Sequence, residues 1–285
     1  MQIKLNIGGI GFWIQYQGEM EIRGTLKKYV SEVKKDVEVL IVSKQVITVP
    51  NLICRGEDLF FRFYGEQDHM QIEAKGRDGE PSAMIFCEEE MRLISCEIYP
   101  QMQNVQQSLN GVISLLPMRQ ILYCFQAFIL HSSRIEVDGK AILFSGPSGV
   151  GKTTQACLWK KYRNAPHLCN DRTIIREENG QWNTYGYYED GSEPIADNKC
   201  LPLGAIVLLK QDTKNCIYRV HVKESLRALM EQIFLDHWDL TMINHTLERV
   251  MHMLDEIPVY CLHCMPDKTA VSCLEGKLLE EGVIK

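Results

Sequence analysis

No run of about 18 apolar residues occurs anywhere in the 285-residue chain, so the sequence holds no candidate for a helix that crosses a membrane. The opening stretch, MQIKLNIGGIGFWIQYQ, is broken by Lys4, Asn6 and Gln15, so it lacks the apolar core of a secretory signal; a cytoplasmic location is expected. A basic tract is missing too. Lys and Arg number 31 against 37 Asp and Glu, the net charge is −6, and the lysine pairs at 27–28, 34–35 and 160–161 stand apart. Neither nucleic acid nor a membrane surface is therefore expected as a partner. Repeats and low-complexity segments are absent as well, which excludes solenoids and fibres.

Cysteine is not scarce, but paired cysteine patterns are. The eleven cysteines run from Cys54 to Cys273 and many sit inside apolar runs (LYCF, QACLW, MIFC), which suits buried reduced thiols rather than a disulfide framework. In CLHCMPDKTAVSC, a zinc set would need Cys261, His263, Cys264 and Cys273. No second C-x-x-C completes it, and the alternation of Val259, Cys261 and His263 reads as a strand that points Cys261 and Cys264 to opposite faces. Structural cysteine is the expectation.

With 45% hydrophobic and 24% charged residues the composition is globular, and the length suits two domains. Residues 1–105 alternate short apolar runs with turn residues (IKLNIGG, VEVLIVS, LFFRFYG, SAMIFCEEE), which predicts an antiparallel β-rich domain with a hairpin at GRDGEP and one helix near TLKKYVSEVKK. A boundary is placed near residue 105. Residues 106–285 follow as an α/β domain. Leu109, Val112, Leu115 and Leu116 lie at helical spacing up to a break at Pro117, and Asp138–Gly139 joins two strands in a hairpin. Helices are expected at KTTQACLWKKY, KESLRALMEQIF, INHTLERVMHMLDEI and KTAVSCLEGKLLEE, strands at LGAIVLLKQ and VYCLHCMP, and irregular chain over NTYGYYEDGSEPIADNKCLP.

The chemistry is concentrated in FSGPSGVGKTTQ. From Gly146 to Thr153 it reads G-x-x-x-x-G-K-T, after an apolar strand and before a helix. Glycines at 146, 149 and 151 let backbone N–H groups converge on phosphate oxygens, and the helix that follows adds its positive end. Gly146, Ser148, Gly149, Val150, Gly151, Lys152, Thr153 and Thr154 are thus the candidate nucleotide-binding residues. Lys152 brings a cation to the β and γ phosphates, and the Thr153 hydroxyl is a ligand for Mg²⁺. The expected cofactors are ATP, or another nucleoside triphosphate, and Mg²⁺. The base-reading N-K-x-D of GTPases is not met, because NKCL at 198–201 ends in Leu201; an L-S-G-G-Q-like transporter signature is absent. A second metal ligand is sought among carboxylates: Asp171 in HLCNDRTII is the first candidate and Asp212 the second. Asp171 also has a bland reading as turn or helix cap.

LHSSRIEVDGKAILFSGPSGVGKTTQA, CNDRTII and PLGAIVLLKQ, in that order over residues 125–275, resemble the kinase domain of HPr kinase/phosphorylase and its relatives. The resemblance implies a phosphoenolpyruvate carboxykinase-like mixed-sheet P-loop core behind a smaller β-rich N-terminal domain. It implies Thr153 and Asp171 as metal ligands and His131 as the histidine beside the active site, although His131 also reads as a satisfied histidine on a strand. Lys152, His131, Asp171 and Asn170 form the implied catalytic group.

Departures from the family narrow the activity. Where relatives carry two adjacent acids this chain has Asn170–Asp171, and an amide cannot take a proton from an acceptor hydroxyl at neutral pH. Glu189, Asp190 or Glu193 in YYEDGSEP are substitutes by position. The E-I-R-G-x-G signature is missing downstream of the loop; EIRG occurs only at 21–24. Domain order, PLGAIVLLKQ and IPVYCLHCMPD resemble the lasso-peptide kinase-like relatives more. They imply transfer of phosphate to a serine-type hydroxyl of a peptide, protein or small molecule. A weak nucleotide-binding sensor or scaffold is the alternative, and a carboxykinase a third. HPr kinase is hexameric, so the resemblance also admits a homo-oligomer.

Overall fold

The computed structural model describes residues 1–66, 69–76, 79–100, 108–188 and 195–285. The chain is mixed α/β and divides into two compact units, Met1–Phe125 with Asp236–Met242, and Gln126–Leu235 with Ile243–Lys285. The boundary expected near residue 105 lies outside the described residues; the two helices after it belong to the first unit.

Eight strands make up the sheet of the first unit: β1 (Gln2–Ile7), β2 (Ile10–Gln15), β3 (Val37–Ser43), β4 (Cys54–Glu57), β5 (Phe61–Glu66), β6 (His69–Lys75), β7 (Pro81–Glu88) and β8 (Leu93–Ile98). Their order is β1-β2-β3-β8-β7-β6-β5-β4. Alternation along β1 and β3 buries Leu5, Ile7, Val37 and Val39 while their neighbours stay partly exposed, as a sheet with one packed face requires. The sheet is not antiparallel throughout: β2–β3 and β3–β8 run parallel, because the chain reaches β3 from β2 by a crossover through residues 16–36 and not by a hairpin, and β3 pairs on its other side with the distant β8. Of the helix expected near residues 25–35 only a 3-10 turn, Gly24–Tyr29, forms. Val30 bridges Leu5, and the Ser31 N–H donates to the Lys4 carbonyl, so the sheet takes up these residues and helix propensity loses.

Helices α1 (Leu109–Ser114) and α2 (Met118–Cys124) break at Pro117, as its missing N–H demands. Against this unit lies the stretch Asp236–Met242. Trp238 stacks on Phe63 with ring centroids 4.7 Å apart and covers Gly56, where any Cβ would strike its ring. The fully buried Asp236 carboxylate accepts from Gln120 and pairs with Arg119 at 2.8 Å; Arg119 also reaches Asp58.

The second unit contains β9 (Ala127–Val137), β10 (Lys140–Ser145), β11 (His167–Cys169), β12 (Arg172–Glu178), β13 (Gln181–Gly186), β14 (Leu201–Gln211), β15 (Cys216–Arg219) and β16 (Val259–Cys264). They run β10-β9-β12-β13-β14-β16-β15, and β10 also pairs with β14 in parallel, so five strands close into a ring. Arg134, fully buried on β9, donates to the carbonyls of Thr184, Asp197 and Lys199 and so ties the segment before β14 to the ring. Part of the stretch expected to be irregular, 183–186, is β13, held by pairing with β12. The helices are α3 (Lys152–Arg163), α4 (Val222–Met230), α5 (Leu240–Glu256, of which residues from Ile243 onward belong to this unit) and α6 (Lys268–Glu280). Trp159 of α3, Phe144 of β10, Val207 of β14, Tyr260 of β16 and Leu274 of α6 share one core. No described helix is long and apolar enough to cross a membrane.

Candidate functional site

β10 is positioned by two neighbours, β9 antiparallel through the Asp138–Gly139 turn and β14 parallel on its other side. It delivers the chain to a loop where Gly146, Gly149 and Gly151 have φ of 140°, 78° and 110°. Residues with a Cβ rarely adopt such angles. At Gly149 and Gly151 an added Cβ would meet nothing within 4 Å, so the backbone demands glycine there and open space lies beside it. α3 starts at Gly151 with no side-chain cap, and its first turn has no acidic residue. Ser148 and Thr154 are exposed, Val150 and Thr153 half-buried. The Gln211 amide, at the end of β14, donates to the Gly149 carbonyl at 3.1 Å and steadies the loop tip.

Lys152 folds back over the loop, its Nζ donating to the carbonyls of Gly146 at 2.8 Å and Pro147 at 3.1 Å. Burial lowers the pKa of its ammonium, and the nearby Asp171 carboxylate works against that. Asn170 and Asp171 form the two-residue break between β11 and β12, both of which pair with β9. The Ser133 hydroxyl donates to the Asn170 carbonyl at 2.7 Å and the Ser132 N–H to the Asp171 carbonyl at 3.0 Å, so the break is pinned. From it the Asn170 amide oxygen accepts the Thr153 hydroxyl at 2.6 Å. The Asp171 carboxylate lies 3.1 Å from His131 Nε2 and 3.6 Å from Arg172 Nε. The His131 hydrogen bond is the main reason its carboxyl titrates below the ordinary range.

Around the loop the side chains form two separate pairs, Thr153 with Asn170 and Asp171 with His131, while Lys152 bonds loop carbonyls and feels the Asp171 charge. Thr153 meets Asn170, while Asp171 meets His131, so the hydroxyl and the carboxylate assigned to one metal each have a different partner. Asp212 is engaged elsewhere: its carboxylate accepts from His263 Nδ1 at 2.9 Å and from the Thr213 N–H at 2.6 Å. Glu189, Asp190 and Glu193 lie outside the described residues. Cys261 and Cys264 are both buried in β16, and Cys264 accepts from Gln155 at 3.2 Å. Among the described residues no three His, Cys, Asp or Glu side chains are grouped to hold a metal. A phosphate-bound Mg²⁺ needs no such group, since one carboxylate, one hydroxyl, phosphate oxygens and water suffice.

Three participants escaped the sequence reading. Arg172 lies with its guanidinium 5.0 Å from the Phe234 ring centre and 5.6 Å from that of Tyr187, beside Asp171. Phe234 sits edge-on to His131 at 6.1 Å. Ser145 donates to the His131 carbonyl at 2.9 Å. Arg172 follows Asp171 directly, a signal available in the sequence; nothing there ties either to Phe234. The helix expected over 223–234 stops at Met230. Beyond it Ile233 bridges Leu130, Phe234 N–H donates to the Ile129 carbonyl at 3.0 Å, and the His131 N–H donates to the Gln232 carbonyl at 2.9 Å.

Residues 94–268 match the family model described as SynChlorMet cassette protein ScmC. The chain belongs to the ScmC family. The matched span contains the loop, the Asn170–Asp171 break and His131, so the candidate site lies wholly within the ScmC part of the chain. No curated protein matches it. Among solved structures, the HPr(Ser) kinase/phosphatase from Coxiella burnetii is similar over 54% of this chain and 93% of its own length. Identity there is 12% and the TM-score 0.30, too low to carry fold or activity across.

Proposed function

We propose that the chain is an ATP- and Mg²⁺-dependent kinase that transfers the γ-phosphoryl group to an alcohol-type hydroxyl. The observation that carries this reading is the loop itself. Three left-handed glycines, an uncapped helix start and a lysine beside an aspartate–histidine pair are the features that would suit a polyphosphate and its cation. Loop amides and Lys152 would hold the phosphates, Lys152 exchanging its contacts with loop carbonyls for phosphate oxygens. Thr153 and Asp171 would hold Mg²⁺, which neutralises charge on the β and γ oxygens when bound. His131 and Arg172 would orient the Asp171 carboxylate. Positioning and electrostatics dominate this chemistry, whose transition state is loose, so an amide at Asn170 does not by itself abolish transfer.

Calorimetry with ATP, with and without Mg²⁺, tests the reading. The wild-type chain is expected to bind only with Mg²⁺ present, and Lys152→Ala to lose at least about tenfold in affinity, a loss on the order of 1.4 kcal/mol. Equal heats in the two proteins would remove the proposal.

A nucleotide-binding sensor with little turnover is favoured by one observation, the amide of Asn170 bonded to Thr153 where a carboxylate would serve as base. Asn170→Asp separates the two readings. A rise of about a hundredfold in ATP turnover points to a weakened kinase; no change leaves catalysis to groups other than residue 170.

A further inference from the structure

The second unit holds a cavity of about 660 Å³ next to the loop, within the range that encloses a small organic ligand. Its apolar lining comes from Val150, Leu208, Leu209, Val220, Ala228 and Cys261, on the loop, β14, β16, α4 and the chain before α4. Gly146 and Pro147 line the same cavity, and these are the residues whose carbonyls hold Lys152 Nζ. Because a lysine in this loop position serves the β and γ phosphates, the transferable end of a bound triphosphate belongs at the cavity's mouth.

Gln232 is also part of the wall, and its carbonyl accepts from the His131 N–H at 2.9 Å. The cavity therefore adjoins the His131–Asp171 pair through one backbone hydrogen bond. None of the described residues lining it is aromatic, so there is no ring on which a base would stack. Its rim carries Lys210 and Arg227 against Glu224 and Glu231, with Arg227 and Glu231 3.4 Å apart. Both signs are present, which selects neither a polyanion nor a polycation.

We infer that this cavity is the acceptor pocket, taking an alcohol carried on an aliphatic body. The inference rests on the kinase reading above. In the transfer, the acceptor oxygen forms a bond to the γ-phosphorus as the bond from that phosphorus to the β–γ bridging oxygen breaks. ADP leaves with the electron pair, and the hydroxyl proton passes to solvent. The alcohol has two sources, a serine or threonine flanked by aliphatic residues in a peptide, or a free aliphatic alcohol.

The test uses the full chain with MgATP and mass spectrometry of a panel: octapeptides with a central serine flanked by Leu, Val, Trp or Asp, together with leucinol and free threonine. Ala228→Trp fills the cavity from a partly exposed helix position, and Ala228→Met serves as the milder variant should the first melt early. The expected result is transfer to the aliphatic members, from the peptide arm or the free-alcohol arm according to source. Filling the cavity should lower kcat/KM by about tenfold or more, the scale of pocket discrimination, with the Kd for MgATP unchanged. Preference for Trp or Asp flanks, unaltered transfer in both variants, no transfer to any member by a chain that binds MgATP, or a weakened Kd for MgATP in the variants would each overturn the assignment. Absence of MgATP binding in the wild type is a separate outcome, which removes the kinase reading first.

Discussion

His131 and Asp171 show how a single contact sets the behaviour of the site. The hydrogen bond from His131 holds the Asp171 carboxyl below its ordinary pKa, against the opposing effect of burial. A carboxyl depressed by folding contributes stability above its unfolded pKa, and that contribution is lost as the pH falls through the lowered value. His131→Ala should thus destabilise the second unit at neutral pH by up to about 1 kcal/mol, since the pair is partly exposed. The gap from wild type should close in strongly acidic buffer. Urea titrations at a series of pH values measure it, and a gap independent of pH would contradict the coupling. The pairing itself was not visible in the sequence, where 40 positions separate the two residues. Only the register that sets Arg172 opposite His131 brings them together.

Strands and helices were legible where local pattern and tertiary demand agree. The Asp138–Gly139 hairpin, the helix after the glycines and the break at Pro117 each follow from residues that fix their own backbone angles. Thr25–Lys35 and Ile233–Phe234 failed for the opposite reason, since strands elsewhere in the chain claim their hydrogen bonds. Closure of the β10-β9-β12-β13-β14 ring shows what an element can require of one residue. Arg134 donates to three carbonyls, Thr184 of β13 and Asp197 and Lys199 of the segment before β14. Arg134→Met should lower stability by roughly 3 kcal/mol or more, because each carbonyl left without a donor costs about 1–3 kcal/mol. Guanidinium denaturation would register this as a lower midpoint, and a midpoint within error of wild type would show that water replaces the guanidinium.

At the scale of the molecule, the first unit carries its own titration, distinct from the loop. Asp236, buried at the start of the Asp236–Met242 stretch, has its carboxyl pushed up to about 6 from 3.8 by burial, with Arg119 opposing. A carboxyl raised by folding binds its proton more readily in the folded state, so stability should fall as the pH rises from about 4 to about 6. Asp236→Asn should flatten that slope, as read by urea titrations between about pH 4 and about pH 7; a persistent slope would point to another group. By itself the sequence determined the glycine loop, Lys152, Thr153 and the β-rich front half, because glycine-rich loops, turns and alternation are written in adjacent residues. Tertiary structure alone decided the mixed direction of the first sheet, the partnering of Thr153 with Asn170 and Asp171 with His131, and the cavity at Gly146 and Pro147. Those depend on which distant strands lie side by side, and strand register is a property of the packed chain.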